Sequence, residues 1–188
     1  MPESPFYSED ELRALGATQV GKNAQISRLA RFYAFKGSIG ERARIDDFAI
    51  LKGRVNVGSY VHISAFCLLS GVGGTITLKD FSGIAAYTAI YTSSDDYLGP
   101  YLSNPIVPVE HTNPFKGDIT LGEGSLVGAH SVMVPGAQLG DFATVGALCI
   151  INKPIGDGEV MVTGAACRSI AKRDVEALKK RVAAIRGK

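Results

Sequence analysis

The sequence predicts an all-β solenoid, a parallel β-helix of about six coils, on three observations. Aliphatic residues recur every six positions, and small residues follow them at a fixed offset. Glycine is abundant without proline, 22 against 8 in 188 residues, where ordinary usage is about 7% glycine and about 5% proline. A period of six matches neither a helical face nor a long alternating strand. It reads as a short strand plus a corner, repeated, and such a coil buries its apolar side only by stacking on the next.

The hexads run through Ile39, Ile45, Leu51, Val57, Ile63 and Leu69, and again through Leu121, Val127, Met133, Leu139, Val145 and Ile151. Shorter runs at Val20, Ile26 and Phe32, and at Leu78, Ile84 and Ile90, keep the same step. Four positions after the aliphatic residue stands a small or medium one, such as Ala43, Ala49, Val61, Cys67, Ser125 or Cys149, so that large and small side chains interlock. Glycine often follows the aliphatic residue directly, as at Gly21, Gly40, Gly58, Gly122, Gly128, Gly140 and Gly146, where the backbone must turn or a neighbour packs close.

The chain divides as one domain. Residues 1–18 form an N-terminal helical cap, in which Ser8 and Glu11 make a capping box and Gly16 ends the helix. Residues 19–156 are the β-helix, interrupted at 95–118 by a segment rich in Pro, Asn and Asp; a loop that long inside a regular solenoid points to function. Residues 157–188 are a closing segment and a basic helix over 168–187, with Val175, Leu178, Val182 and Ile185 on one side.

Composition narrows the partners. Twenty basic against 18 acidic residues give a formal charge of +2, too little for a general nucleic-acid binder. Cys67, Cys149 and Cys167 are an odd set without CxxC spacing, so neither a disulfide framework nor a zinc site is indicated, and a reducing cytoplasm fits. The acidic N-terminus lacks a basic start followed by an apolar run, and no stretch approaches a membrane span.

Two segments carry a resemblance to a known family. ITLGEGSLVGAHSVMVPGAQLGDFATVGALCIINKPI, residues 119–155, with the later TGAACRSI, resembles the acetyl-CoA-binding coils and closing segment of sugar acetyltransferases; Ala166 stands where that family has proline. RIDDFAIL, YVHISAF, DFSGIAAYTAIYTSSDDY and NPIVP resemble the branch that N-acetylates nucleotide-linked amino sugars such as dTDP-4-amino-4,6-dideoxyglucose. The resemblance covers the chain from Phe6 to about Arg173. It implies hexapeptide-repeat acyltransferases: left-handed parallel β-helices, acting as homotrimers with active sites between subunits. Acetyl-CoA would be the cosubstrate and a nucleotide sugar the acceptor, in surface-polysaccharide (O-antigen) assembly, without a metal.

Acyl transfer from a thioester needs a positioned acceptor, a proton acceptor and a donor for the developing oxyanion. In the related galactoside acetyltransferases the base is a histidine, and counting hexads puts Asp95 at that position here. A carboxylate with a pKa near ~4 is a poor base for a hydroxyl, but an amine only has to shed a proton after attack. Asp95 and Asp96 therefore favour an amino-sugar acceptor, one holding the amine and one taking the proton; read structurally, SSDD is a turn whose carboxylates cap backbone N–H groups. Tyr97 at the loop entrance offers a ring to the substrate, or loop packing. His62, at a hexad corner, is a catalytic candidate or an interface histidine, and His111 is a loop histidine able to reach a substrate in a neighbouring subunit.

By resemblance, Ala129 and Ala147 present backbone groups to the pantetheine arm, and Asn152, Lys153 and Arg168 meet the phosphate end of the coenzyme. Surface Lys and Arg are also ordinary solvated charge. The rivals are a sugar O-acetyltransferase, which would need a histidine base, and a noncatalytic or metal-binding β-helix scaffold. Against the latter, none of the histidines stands in an HxxxH pair.

Overall fold

The computed structural model describes residues 4–98, 100–104, 106–162, 168–172 and 174–186. Parallel strands stack coil on coil into a solenoid. One face is an eight-stranded sheet, ordered from Gln25–Ile26 through Arg44–Ile45, His62–Ile63, Gly83–Ile84, Leu126–Val127 and Thr144–Val145 to Glu159–Val162. Its eighth strand, Arg168–Lys172, is antiparallel, which leaves seven parallel rungs. The solenoid thus exceeds the six coils expected, because its end rungs, at Gln25–Ile26 and Glu159–Val162, lie where the hexads are incomplete. The other two faces share a nine-stranded sheet, since strands such as Leu68–Leu78 run through a corner.

The hexad residues become three columns inside the coil. Ile26, Ile45, Ile63, Ile84, Val127, Val145 and Met161 are in register on the first face. Leu51, Leu69, Ile90, Met133 and Ile151 line the second, and Val57, Leu78, Leu121 and Leu139 the third. All of these are buried. Cutting one Ile or Leu here to Ala would cost about 2–5 kcal/mol, because stacked rungs above and below hold the cavity open. The small positions are buried as expected, including Cys67 and Cys149, whose thiols lie in the core outside any disulfide.

Of the two reasons read for the corner glycines, close packing is the one the structure shows. Those that follow the aliphatic residue do not have left-handed backbones; all of the seven but Gly146 are needed because the next coil is too close. A Cβ on Gly40 would sit 2.3 Å from the Gly58 carbonyl carbon, and one on Gly122 2.4 Å from that of Gly140. The left-handed backbone falls instead on the residue before the small position: Arg42, Phe48, Tyr60, Phe66, Phe81, Tyr87, His130, Phe142 and Leu148, with φ between 52° and 62°. Stacking compensates part of that strain. Phe48, Phe66, Tyr87 and His130 form a ladder along one corner, with ring centroids 5.0, 4.9 and 4.7 Å apart.

Both ends are covered. Helix α1 (Glu9–Ala14) has the expected capping box, with Ser8 N–H donating to Glu11 Oε2 at 2.7 Å, and Gly16 turns the chain at φ 112°. At the other end the expected helix over 168–187 is shorter. Residues 168–172 pair with Glu159–Val162, giving the exposed edge a partner, and helix α2 runs Val175–Arg186. Gly164, Ala166 and Cys167 lie outside the described residues. Among the described residues no helix is long and apolar enough to cross a membrane.

Arg186 at the end of α2 keys into the solenoid. Its guanidinium donates to Asp80 Oδ2 at 2.8 Å and is 2.7 Å from Glu123 Oε1. It also lies 5.4 Å from the Phe81 ring centroid, on the corner where the next rung carries Gly124 instead of a side chain.

Candidate active site

The chain leaves the solenoid through Ser93–Ser94 and returns through Phe115–Lys116, two short antiparallel strands. Thr92 fixes the exit: its hydroxyl donates to Ser70 O at 2.9 Å and accepts the Gly73 and Gly74 amides at 3.1 and 3.0 Å. Because exit and return are paired, Asp95, Asp96 and Tyr97 face Asn113, Pro114, Phe115 and Lys116 across a groove of about 520 Å³. Three of the predicted substrate-side residues are thus brought together, and the sequence reading missed the opposite wall. Its signal was available in the NPFK stretch that ends the loop.

The two aspartates are not equivalent. Asp96 Oδ1 accepts the Leu98 amide at 3.1 Å, and its carbonyl accepts from Ser103 Oγ at 2.9 Å, so Asp96 does the turn-capping work. The half-buried Asp95 carboxylate has no hydrogen bond or ion pair among the described residues. It is the one aspartate of the pair whose carboxylate lines the groove without such a contact. Lys116, exposed on the other wall, likewise has no carboxylate within ion-pair distance among the described residues.

His111 ends a short 3-10 turn, Val109–His111, and its carbonyl accepts the Leu102 amide at 3.0 Å; it does not line the groove. His62 stands elsewhere in the chain. It points outward from the first face, half exposed, with Nε2 2.8 Å from Asp46 Oδ2. Asp46 also accepts from Arg44 Nε at 2.7 Å. Burial pushes the Asp46 carboxyl up, but the hydrogen bonds from His62 and Arg44 together outweigh it and hold it below its ordinary value. Within one chain His62 and Asp95 do not share a groove. A period of 18 residues brings Arg44 beside His62 and was readable, whereas the rotation of each face was not.

Of the coenzyme candidates, Ala129 and Ala147 occupy the same corner one coil apart, where the Leu148 amide donates to Ala129 O at 2.9 Å. Asn152 and Lys153 are exposed just past Ile150–Ile151 on the next corner. The Arg168 backbone pairs with Val162. Among the described residues no group of three His, Cys, Asp or Glu is placed to hold a metal ion.

A hexapeptide solenoid with a carboxylate groove on an inserted loop has the architecture of the hexapeptide-repeat acyltransferases. No protein-family model matches the chain. A curated relative, the dTDP-4-amino-4,6-dideoxy-D-glucose acyltransferase of Escherichia coli, is 34% identical over 152 residues, 79% of each chain. The solved structure of AntD, an N-acyltransferase from Bacillus cereus in complex with dTDP and 3-hydroxybutyryl-CoA, is 34% identical, covers 98% of both chains and superposes with a TM-score of 0.87. A point mutant of AntD in complex with dTDP-4-amino-4,6-dideoxyglucose and coenzyme A gives the same TM-score and identity over 98% of this chain. The chain belongs to the dTDP-4-amino-4,6-dideoxyglucose acyltransferase family.

Proposed function

We propose that the protein transfers an acyl group from an acyl-CoA to the amino group of a dTDP-linked amino-deoxysugar, with acetyl-CoA as the donor and surface-polysaccharide assembly as the setting. The carrying observation is the Asp95 carboxylate, half-buried, without a partner among the described residues and facing a groove. The neutral amine attacks the thioester carbon, the C–S bond breaks and an amide forms. Asp95 accepts a hydrogen bond from the attacking N–H and takes the proton lost on attack. The proton then passes to the departing thiolate, and coenzyme A leaves as the free thiol. Asp96 holds the loop in shape and Tyr97 offers a face to the sugar.

The functional unit on this reading is a homotrimer in the cytoplasm. The aromatic ladder lies beside an outward column of Ile50, Leu68, Ala89, Val132 and Ile150, in register on the second face. The loop tip adds exposed Leu98, Ile106 and Val109. Apolar surface of that extent supports association of copies of the chain, and would bring one copy's loop to the coenzyme corner at Ala129, Ala147, Asn152 and Lys153 of another, with Arg168 and His111 nearby.

The test is thiol release on mixing the purified protein with acetyl-CoA or 3-hydroxybutyryl-CoA and dTDP-4-amino-4,6-dideoxyglucose. Turnover that falls by about 100-fold or more in kcat in Asp95→Asn, in the range usual for a lost general base, is expected. Absence of turnover with any dTDP-amino sugar would remove the reading.

A further inference from the structure

The strand Leu68–Leu78 pairs with Ile50–Val57 up to Gly71 opposite Gly53 and resumes with Thr75 opposite Arg54. Val72, Gly73 and Gly74 therefore have no counterpart in the coil below. This excess meets both feet of the Asp95 loop. At the exit, the Thr92 hydroxyl accepts the Gly73 and Gly74 amides and donates to Ser70 O, which uses all the hydrogen-bonding capacity a hydroxyl has. At the return, Asp118 Oδ1 accepts the next amide in the chain, that of Thr75, at 2.7 Å. Three consecutive amides of one corner thus hold the two legs, and the Gly117 N–H donates to Thr92 O at 3.1 Å between them.

The corner has to be glycine for this. A Cβ on Gly73 would lie 2.7 Å from Ser93 Cβ and 3.1 Å from Lys116 Cγ, and one on Gly74 would lie 2.7 Å from Asp118 Oδ1. Side chains there would push the legs off the coil. Two rungs, Ser93 opposite Lys116 and Ser94 opposite Phe115, then lie between Thr92 and Asp95. Beyond Asp95, the Asp96 carboxylate caps the turn to Leu98. The Asp95 carboxylate has no hydrogen bond of its own among the described residues, so its aim is set by the backbone and the backbone by the footing. Thr92 itself is fully buried and does not line the groove.

We propose that Thr92, with Asp118 as its counterpart on the return leg, is a positioning residue for acyl transfer, holding the Asp95 carboxylate at the attacking amine. The role deepens the function proposed above and rests on it. A carboxylate displaced by about 1 Å is a poor proton acceptor yet remains a charge in the groove, so lost aim lowers kcat far more than it raises KM.

The experiment is steady-state kinetics of thiol release with the full-length protein, dTDP-4-amino-4,6-dideoxyglucose and acetyl-CoA or 3-hydroxybutyryl-CoA. The variants are Thr92→Val, Thr92→Ser, Asp118→Ala, Asp95→Asn and Thr92→Val combined with Asp95→Asn. Thr92→Val leaves the Gly73 and Gly74 amides without their acceptor, and Thr92→Ser restores it. The expected result is a kcat lowered about tenfold or more in Thr92→Val, the scale of a misplaced catalytic group, with KM for the amino sugar within about threefold. Thr92→Ser should recover most of the rate, and Asp118→Ala should show a smaller fall of the same kind. The combined variant separates aim from general damage. With Asp95 already neutralised there is nothing left to aim, so Thr92→Val should lower kcat no further; a second, multiplicative fall overturns the proposal. So does an unaltered kcat in Thr92→Val, or a rise in KM alone. If Thr92→Val does not fold, Asp118→Ala with and without Asp95→Asn carries the same test, since it removes one solvent-exposed hydrogen bond. A wild type without turnover, or Asp95→Asn at full rate, removes the proposed chemistry and this role together. A loss in Asp95→Asn with Thr92→Val unaffected removes only the footing.

Discussion

Substituting Arg42 by alanine and by glycine tests whether the corners store backbone strain. Arg42 has φ 52°, where a residue with a Cβ is disfavoured by roughly 1–2 kcal/mol. Its side chain gives little in return: a half-exposed pairing with Glu41 at 3.6 Å and a guanidinium 5.9 Å from the Tyr60 ring, together about 1 kcal/mol. Both variants lose those contacts, but only glycine relaxes the backbone. Arg42→Ala should be less stable than the wild type by about 1 kcal/mol, and Arg42→Gly should be near it, a difference of about 2–4 °C in melting temperature for a domain of this size. Lys52, exposed in the strand Ile50–Val57, is the control, since in an extended strand glycine should fall below alanine by about 0.5–1 kcal/mol. The readout is thermal and urea unfolding at one fixed protein concentration. If glycine ranks below alanine at both positions, the corner is not strained and the reasoning fails.

Gly40→Ala should destabilise by about 1–3 kcal/mol or more through overpacking, because its Cβ would lie 2.3 Å from the Gly58 carbonyl carbon; unfolding indistinguishable from wild type would show that coils can spread freely. Burial pushes the Cys67 thiol up to about 11, against opposing backbone hydrogen bonds, so peptide mapping after iodoacetamide at pH 8 should find Cys67 and Cys149 unmodified in the native protein and modified in urea. The Arg28 guanidinium, then the Ser8 amide and hydroxyl, lower the Glu11 carboxyl from its ordinary 4.5 to about 2. The folded state therefore favours the charged form, so its contribution is complete above about pH 4.5 and fades as pH falls towards 2; the protection of the Ser8 and Glu11 amides, relative to their intrinsic exchange rates at each pH, should fall across that window, and Glu11→Gln should flatten the change.

The inward columns were legible because one face of every coil must be dry, and burial then follows the hexads residue by residue. The corners were not. Propensity assigns left-handed backbone to glycine or asparagine, yet here Phe66 and Tyr87 take it, because a ring stacked on the coils above and below compensates a strain that local sequence cannot see. By sequence, residues 168–172 form the first turn of the helix whose apolar face starts at Val175, but the unpaired edge of Glu159–Val162 captures them as a strand. At the site, Asp95 follows directly on the exit strand Ser93–Ser94, a position that the hexads run up to, while the opposite wall at Phe115–Lys116 depends on a hairpin closed over about twenty residues. Where His62 lies relative to Asp95 depends on the longer coil between them, which takes 21 residues from Ile63 to its partner Ile84 against 18 from Ile45 to Ile63.

The two carboxylates held by Arg186 gain a further meaning from their positions in the chain. Asp80 precedes the inserted loop and Glu123 follows it, so neighbouring coils that are distant in sequence are bolted together by a residue close to the C-terminus. Helix α2 thereby sets the footing of the coils that flank the loop carrying Asp95, and loosening Arg186 would act on the mouth of the groove from outside it.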